Sequence, residues 1–220
     1  MSSIAVKDVE VTNSLIWFRN DLRINDHPGI NSALSISGKV IGFYCFNSSM
    51  FKMTNLGFPK IDKFRAKFLL ETIENLKEDL KKINVTLIIK IGDPVEELTK
   101  IISQQKIKNI FFQKEWTQEE VDEEDQLKSK YNDKNFKSFY SQFLYDPDDL
   151  DINNISNVFT NFRKHCEKKL KVKDLLESPK KLLDDNLLED DYLIPSLSDL
   201  GLEDFEMDSR SAFKFKGGCN

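Results

Sequence analysis

Cysteine is scarce, with only Cys45, Cys166 and Cys219 in 220 residues. They form no Cys-x-x-Cys pair, and His27 and His165 complete no metal-ligand spacing with them. That excludes a disulfide framework and a zinc module. A reduced, intracellular protein is expected. Long apolar runs are also missing. No stretch approaches the roughly 18 to 20 residues needed to cross a bilayer. Residues 1–10 carry Lys7, Asp8 and Glu10 where a signal peptide needs an apolar core. A soluble chain with no membrane partner is expected. The eight glycines form no Gly-x-Gly-x-x-Gly, no Walker loop and no Gly-x-Ser-x-Gly, and no His-Glu-x-x-His occurs. Glycine-loop nucleotide binding, serine hydrolysis and zinc peptidase chemistry are therefore not indicated.

Apolar residues make up 40% of the chain and charged residues 31%, a balance that suits one soluble core with room for a tail. The net charge of −5 hides an asymmetry. Residues 174–208 hold twelve acids and two bases, so they carry −10 and the remainder +5. Such a segment reads as a solvated linker. It would repel a phosphate backbone, which argues against strong nucleic-acid binding by this chain alone.

The body alternates strands and helices. Residues 14–18 read as a buried strand. Asp26 is the expected N-cap of a short helix running to Ile36, with His27 in a surface or capping role. Residues 39–46 are apolar on both faces, as a central parallel strand requires. After a turn-rich loop over 47–60, Phe64, Phe68, Leu69, Ile73, Leu76, Leu80 and Ile83 recur at helical spacing. Charges fill the opposite face, with Glu78 placed to meet Lys81 and Lys82. Residues 85–91 form a third strand. Asp93-Pro94 starts the next helix. Residues 108–113 form a fourth strand, and Thr117-Gln118-Glu119-Glu120 is a capping box that opens a charged surface helix to about Tyr131. Residues 135–140 form a fifth strand. An acidic loop over 146–157 precedes a last amphipathic helix with Val158, Phe159, Phe162, Cys166 and Leu170. This order predicts an α/β fold: a doubly wound, five-stranded parallel sheet of Rossmann-like type, order 3-2-1-4-5, with an extended C-terminal connector. The order reverses between strands one and four. Residues 18–23 and 114–116 should line a ligand crevice there.

Residues 17–26, Trp-Phe-Arg-Asn-Asp-Leu-Arg-Ile-Asn-Asp, resemble the opening strand and loop of the photolyase and cryptochrome family. Gly-Phe-Pro-Lys at 57–60 and Phe-Arg-Ala-Lys-Phe-Leu-Leu-Glu at 64–71 resemble its DASH branch. Asn-Val-Phe-Thr-Asn-Phe-Arg-Lys at 157–164 is similar to the helix after the fifth strand. Ile-Pro-Ser-Leu at 194–197 and Arg-Ser-Ala-Phe-Lys-Phe-Lys-Gly-Gly at 210–218 are similar to the interdomain connector.

The resemblance implies a division of labour. The family's N-terminal α/β domain holds a light-harvesting antenna, often methenyltetrahydrofolate. Its C-terminal helical domain holds FAD, binds DNA and repairs pyrimidine dimers by light-driven electron transfer. On this reading residues 1–12 are a flexible N-terminus, 13–170 the antenna-binding domain and 171–220 an acidic interdomain connector. The FAD-binding helical domain is absent from the chain. Trp17 and Trp116 are the only tryptophans and both lie in the α/β half, so the family's tryptophan chain toward flavin is absent too. The chain alone should then be catalytically inert, because a redox enzyme cannot turn over without its cofactor. Weak folate binding is expected, with FAD and DNA engaged only when the helical domain is supplied in cis or in trans. The alternative is a subunit that docks onto a separately encoded FAD domain and restores photolyase activity. A nucleotide-binding protein of general Rossmann-like type is a third reading. The missing phosphate-binding glycines count against it.

The same resemblance nominates site residues. Glu115 matches a family glutamate that pairs with folate, and one carboxylate can accept both the amino group and the ring nitrogen of a pterin. Phe46 and Phe58 are candidates to stack on the ring, and Trp116, beside Glu115, is counted with them as cofactor-binding. Arg19, Asp21, Arg23 and Asp26 are read either as a polar wall of the antenna cleft and a dock for the flavin domain or as an ion-pair network that shapes the loop. From Lys171 onward the chain is expected to be extended, poorly packed and dispensable for folding, because its paired leucines make no continuous stripe.

Overall fold

The computed structural model describes residues 12–36, 38–189, 192–206 and 216–218. The expected flexible N-terminus up to residue 11, most of the 210–218 motif and Cys219 lie outside them.

Five parallel strands form one sheet in the order 3-2-1-4-5, as the alternation predicts. They are β1 (Asn13–Trp17), β2 (Val40–Asn47), β3 (Thr86–Gly92), β4 (Ile107–Gln113) and β5 (Asn135–Phe139). Five helices cover them: α1 (Pro28–Leu34), α2 (Lys63–Lys82), α3 (Pro94–Gln104), α4 (Gln118–Lys130) and α5 (Phe159–Lys169). Alternate residues of each strand point to opposite faces, so two cores form. Ile16, Phe18, Val40, Tyr44, Phe46 and Phe111 pack with Ile73, Leu76 and Leu80 of α2 and Ile30 of α1. Leu15, Trp17, Ile41, Phe43 and Phe112 pack with Val95, Leu98 and Ile102 of α3 and Leu127 of α4. β2 is buried along nearly its whole length, which is why it reads as apolar on both faces.

The caps mostly follow the sequence. Asp93 accepts from Glu96 N at 2.9 Å with Pro94 in the first turn, and Thr117 and Glu120 form their capping box. At α1 the expectation is corrected. His27 is the N-cap, its Nδ1 accepting from Ile30 N at 3.1 Å, and it is fully buried rather than at the surface. Asp26 sits one residue earlier at φ 49°, where its Oδ1 accepts from Leu176 N at 3.0 Å. The helix ends at Leu34, short of Ile36.

Two stripes are narrower than periodicity implies. In α2, Ile73, Leu76 and Leu80 are buried but Phe64 and Phe68 stay partly exposed, because that turn meets the connector instead of the sheet. Phe205 packs edge-on against Phe64, and Gly217 passes so near that a Cβ would collide with the Phe68 carbonyl oxygen. On the polar face it is Asp79, not Glu78, that pairs with Lys82. In α5 only Cys166 is buried, and Val158 and Phe159 face solvent.

The connector is extended, as expected, but it is not poorly packed. Leu197 and Leu200 belong to the buried core, and Leu182, Tyr192, Ile194, Leu202 and Phe205 pack against it. Asn186 is buried and replaces a strand partner. Its Oδ1 accepts from Val40 N at 2.8 Å, and its Nδ2 donates to Val40 O at 2.9 Å and Asn84 O at 2.7 Å. Such pairing is what allows an irregular segment to be buried.

Candidate functional site

A cleft of about 650 Å³ opens over the carboxyl ends of β1 and β2. Tyr44, Phe46, Met50, Phe51 and Leu69 give it an apolar side; Arg19, Asn20, Asn47, Arg65 and the first turn of α4 give it a polar one. Its size and mixed lining are those of a small-molecule pocket. The position at the carboxyl ends is the one open α/β sheets use for ligands.

Arg19 organises the polar side. Its guanidinium lies 4.6 Å from the centre of the Trp17 ring and donates to Glu120 O at 2.9 Å. It also stands 3.8 Å from Glu123 and 3.9 Å from Glu124. Burial raises the Glu123 carboxyl above the ordinary glutamate range, with Arg19 and the Asn47 amide pulling the other way. Asn47 Nδ2 donates to Glu123 Oε1 at 3.0 Å. Cys45 shares the cleft wall, and its thiol is pushed up to about 12, first by burial and then by the nearby Glu97, Asp93 and Glu123. It is an inert thiol. Burial likewise raises the Tyr44 hydroxyl far above its usual value.

The six nominated residues are not all in one place. Arg19 and Phe46 line the cleft. Glu115 stands behind it: its Oε1 accepts from Asn20 Nδ2 at 3.0 Å and from Gln113 Nε2 at 2.8 Å. It is largely buried and reaches the cleft only through Asn20. Trp116 lies on an outer ledge, stacked on Tyr140 with Phe143 against its edge. Phe58 is exposed at the tip of the loop closed by the Met53–Pro59 bridge. Asp21 turns inward. Its Oδ1 accepts from Arg19 N at 2.9 Å, and its Oδ2 lies 2.9 Å from His27 Nε2. Neither Asp21 Oδ2 nor His27 Nε2 makes a hydrogen bond among the described residues, so the two atoms meet as a close contact without aligned hydrogen-bond geometry. Arg23 donates to Asp26 O and Ser141 O and so ties the loop together.

The expected crevice between β1 and β4 is displaced. Residues 18–20 line the cleft, but residues 114–116 give way to β2 and to the start of α4. Sequence reading missed Glu119, Glu120 and Glu123, which look like the solvated face of a charged helix. Their signal was the spacing: 119 and 123 lie one turn apart, on the side the α4 cap turns toward the Arg19 loop. No group of three or more metal-ligating side chains occurs among the described residues.

Comparison with known proteins agrees with this architecture. The DNA photolyase family model matches residues 14–181, and the chain belongs to that family. Within it, the chain corresponds to the N-terminal α/β part of DASH cryptochromes. It is 36% identical to Cryptochrome DASH of Gloeobacter violaceus across 93% of this chain, and 32% identical to that of Synechocystis, also across 93%. The crystal structure of the Synechocystis cryptochrome superposes with a TM-score of 0.83 over 94% of this chain and 44% of that one, at 31% identity. A class III photolyase from Agrobacterium tumefaciens shares the fold at 21% identity, with a TM-score of 0.70. The chain spans 41% and 42% of the length of the two curated relatives. No helix among the described residues is long and apolar enough to cross a membrane.

Proposed function

We propose that this chain is the antenna-binding portion of a DASH-type cryptochrome acting in blue-light photoreception or light-driven DNA repair, and that its cleft holds a planar chromophore of the methenyltetrahydrofolate class. The observation that carries this is the cleft itself: an aromatic wall from β2 faces a polar wall rich in carboxylates. A pterin-like ring needs both, an apolar surface for its faces and acceptors for its amino edge. Glu115 acts through Asn20, holding that amide toward the cleft. Electron transfer belongs to a FAD-binding helical domain supplied in cis or in trans, and recognition of the DNA lesion belongs to the same domain. The chain alone binds its antenna weakly and does not turn over.

The test is an absorbance and fluorescence titration with methenyltetrahydrofolate. Saturable binding is expected in the wild type. Met50→Trp, which fills the cleft, should weaken it at least about tenfold, the effect of about 1.4 kcal/mol. Glu115→Gln should weaken it by less, because it disturbs only the Asn20 amide. Equal affinity in Met50→Trp and wild type would place the chromophore elsewhere, with the ledge of Trp116, Tyr140 and Phe143 the next site to probe.

A further inference from the structure

The donors on the polar side of the cleft are already engaged by the protein. Asn20 Nδ2 donates to Glu115 Oε1 at 3.0 Å and to Glu120 Oε1 at 3.2 Å, which uses both of its hydrogens. Its Oδ1 is therefore the atom that this amide leaves for a ligand. The Arg19 guanidinium lies over Trp17 and is held by Gln113 O, Glu120 O and the carboxylates of Glu123 and Glu124. Asn47 gives its amide to Glu123. What this side offers a ligand is acceptors and negative charge.

One cation in the cleft is uncommitted. Arg65 is exposed and lines the cleft one turn before Leu69 on α2. It has no ion pair or hydrogen bond among the described residues, and Asp62, three positions earlier, is turned to the Lys63 amide instead. Its charge reaches the Tyr44 hydroxyl, where it opposes the stronger upward push of burial. α2 and α4 cover opposite faces of the sheet and pack into different cores. Arg65 and the α4 carboxylates thus stand at opposite ends of the cleft. Its volume of about 650 Å³ leaves room for more than a fused two-ring system.

We infer that Arg65 is a specificity-determining residue of this cleft: it binds an anionic tail, carboxylate or phosphate, of the ligand whose ring lies against the β2 aromatics. This rests on the reading of the cleft as a chromophore site and narrows which chromophores it accepts. A guanidinium presents a planar fork of N–H donors, which meets two oxygens of such an anion in parallel bonds. Leu69 and Phe51 line the same cleft, and apolar neighbours strengthen the pairing over its value in open water. A ligand satisfies both ends only if it carries donors at one and an anion at the other. A neutral ring without a tail gains nothing from Arg65. An anion set at the α4 end instead would meet like charge.

The experiment is calorimetric titration of the whole chain with two pairs of probes: methenyltetrahydrofolate against tetrahydropterin, and flavin mononucleotide against riboflavin. In each pair only the first carries an anionic tail, a carboxylate in one case and a phosphate in the other. Arg65→Gln should weaken the tailed member of at least one pair about tenfold or more and leave the bare rings within about twofold. That loss should shrink as salt is raised. Arg65→Lys should recover part of it, because lysine keeps the charge and lacks the fork. Lys130→Gln, an equal change of net charge at an exposed position at the far end of α4, should leave all four affinities unchanged. Circular dichroism establishes that the variants fold. Where a bare ring binds too weakly to measure, the salt dependence and the Arg65→Lys rescue decide. Equal weakening of tailed and bare probes would make Arg65 a shaping residue and overturn the inference. So would a wild type that binds neither tailed probe. Flavin mononucleotide bound through Arg65, with no binding of methenyltetrahydrofolate, would uphold the role of Arg65 and sink the folate reading. If wild type and Arg65→Gln bound each tailed probe equally, methenyltetrahydrofolate among them, the folate reading would stand and this one would fall.

Discussion

At the scale of single residues, the buried pair of His27 and Asp21 shows why the loop after β1 has its shape. His27 caps α1 through one ring nitrogen and meets Asp21 through the other, while Phe18 and Phe139 enclose the ring edge-on. Asp21 in turn holds the backbone of Arg19. Removing the imidazole would leave a buried carboxylate without its partner and a helix without its cap. His27→Ala should therefore destabilise the chain by about 3 kcal/mol or more in urea unfolding. A loss under about 1 kcal/mol would show that water replaces the ring without penalty. Glu123 makes the opposite prediction. Burial raises its carboxyl in the folded state, so its contribution to stability is fully present below the unfolded glutamate value and lost as pH rises through the folded one. Glu123→Gln keeps the hydrogen bond to Asn47 and removes the poorly solvated charge. The variant should melt higher than wild type at neutral pH and the same at a pH below about 4. A gain that persists at low pH would assign the effect to packing. Burial at both positions was hidden in the sequence: His27 read as an ordinary helix-start residue and Glu123 as one of many acids on a charged helix.

At the scale of elements, what could be read in advance was what depends on near neighbours. The apolar run of β2, the Asp93-Pro94 start of α3 and the Thr117–Glu120 box are local devices, and each forms where the residues place it. Strand order followed from alternation and handedness. The site was half legible: the loop signature marked Arg19 and the end of β2 marked Phe46, but the acids of α4 carried only the one-turn spacing of Glu119 and Glu123, which a solvated helix face shares. The connector was misjudged for a definite reason. Its paired leucines make no stripe at helical spacing, and an extended segment needs none. Leu182 packs while Leu183 is exposed, and Leu188 packs in the second core. Its polar anchor pairs across 146 residues, beyond any window of periodicity. Asn186→Ala would strand the Val40 amide and two carbonyls in a buried place. A loss of about 2 to 4 kcal/mol is expected from equilibrium unfolding. Asn186→Asp should be worse, because a carboxylate there would face the carbonyls of Val40 and Asn84 with no donor. If Asn186→Asp proved as stable as wild type, the connector would have to detach readily from that edge.

At the scale of the whole molecule, the question is whether residues beyond 170 are a linker or part of the fold. Composition makes them a linker, since a segment of 35 residues carrying −10 cannot offset the ordering of its backbone by itself. Packing argues otherwise. The segment need not build its own core, because its apolar residues enter one that already exists: Leu197 and Leu200 are 9% and 6% exposed. Leu182 N donates to Ile83 O at 3.1 Å, Asn84 donates to Leu182 O and Asp184, and Lys77 holds the Tyr192 carbonyl. Burying a leucine side chain contributes about 1.5 to 3 kcal/mol, so a few such contacts rival the total stability of a small domain. Truncation after Leu170 should thus lower the melting temperature by more than about 10 °C or give an insoluble product, because the Leu76 and Leu80 face of α2 and the edge at Val40 lose their cover. Truncation after residue 206, which keeps every one of these contacts, should lower it by only a few degrees. The two truncations separate the two views. If the shorter chain melted within about 3 °C of the full one, the packed connector would be a passive lodger on a body complete at residue 170. If only the shorter chain collapsed, the folding unit would run to residue 206, and the connector would hold β2, β3 and α2 together beneath the cleft.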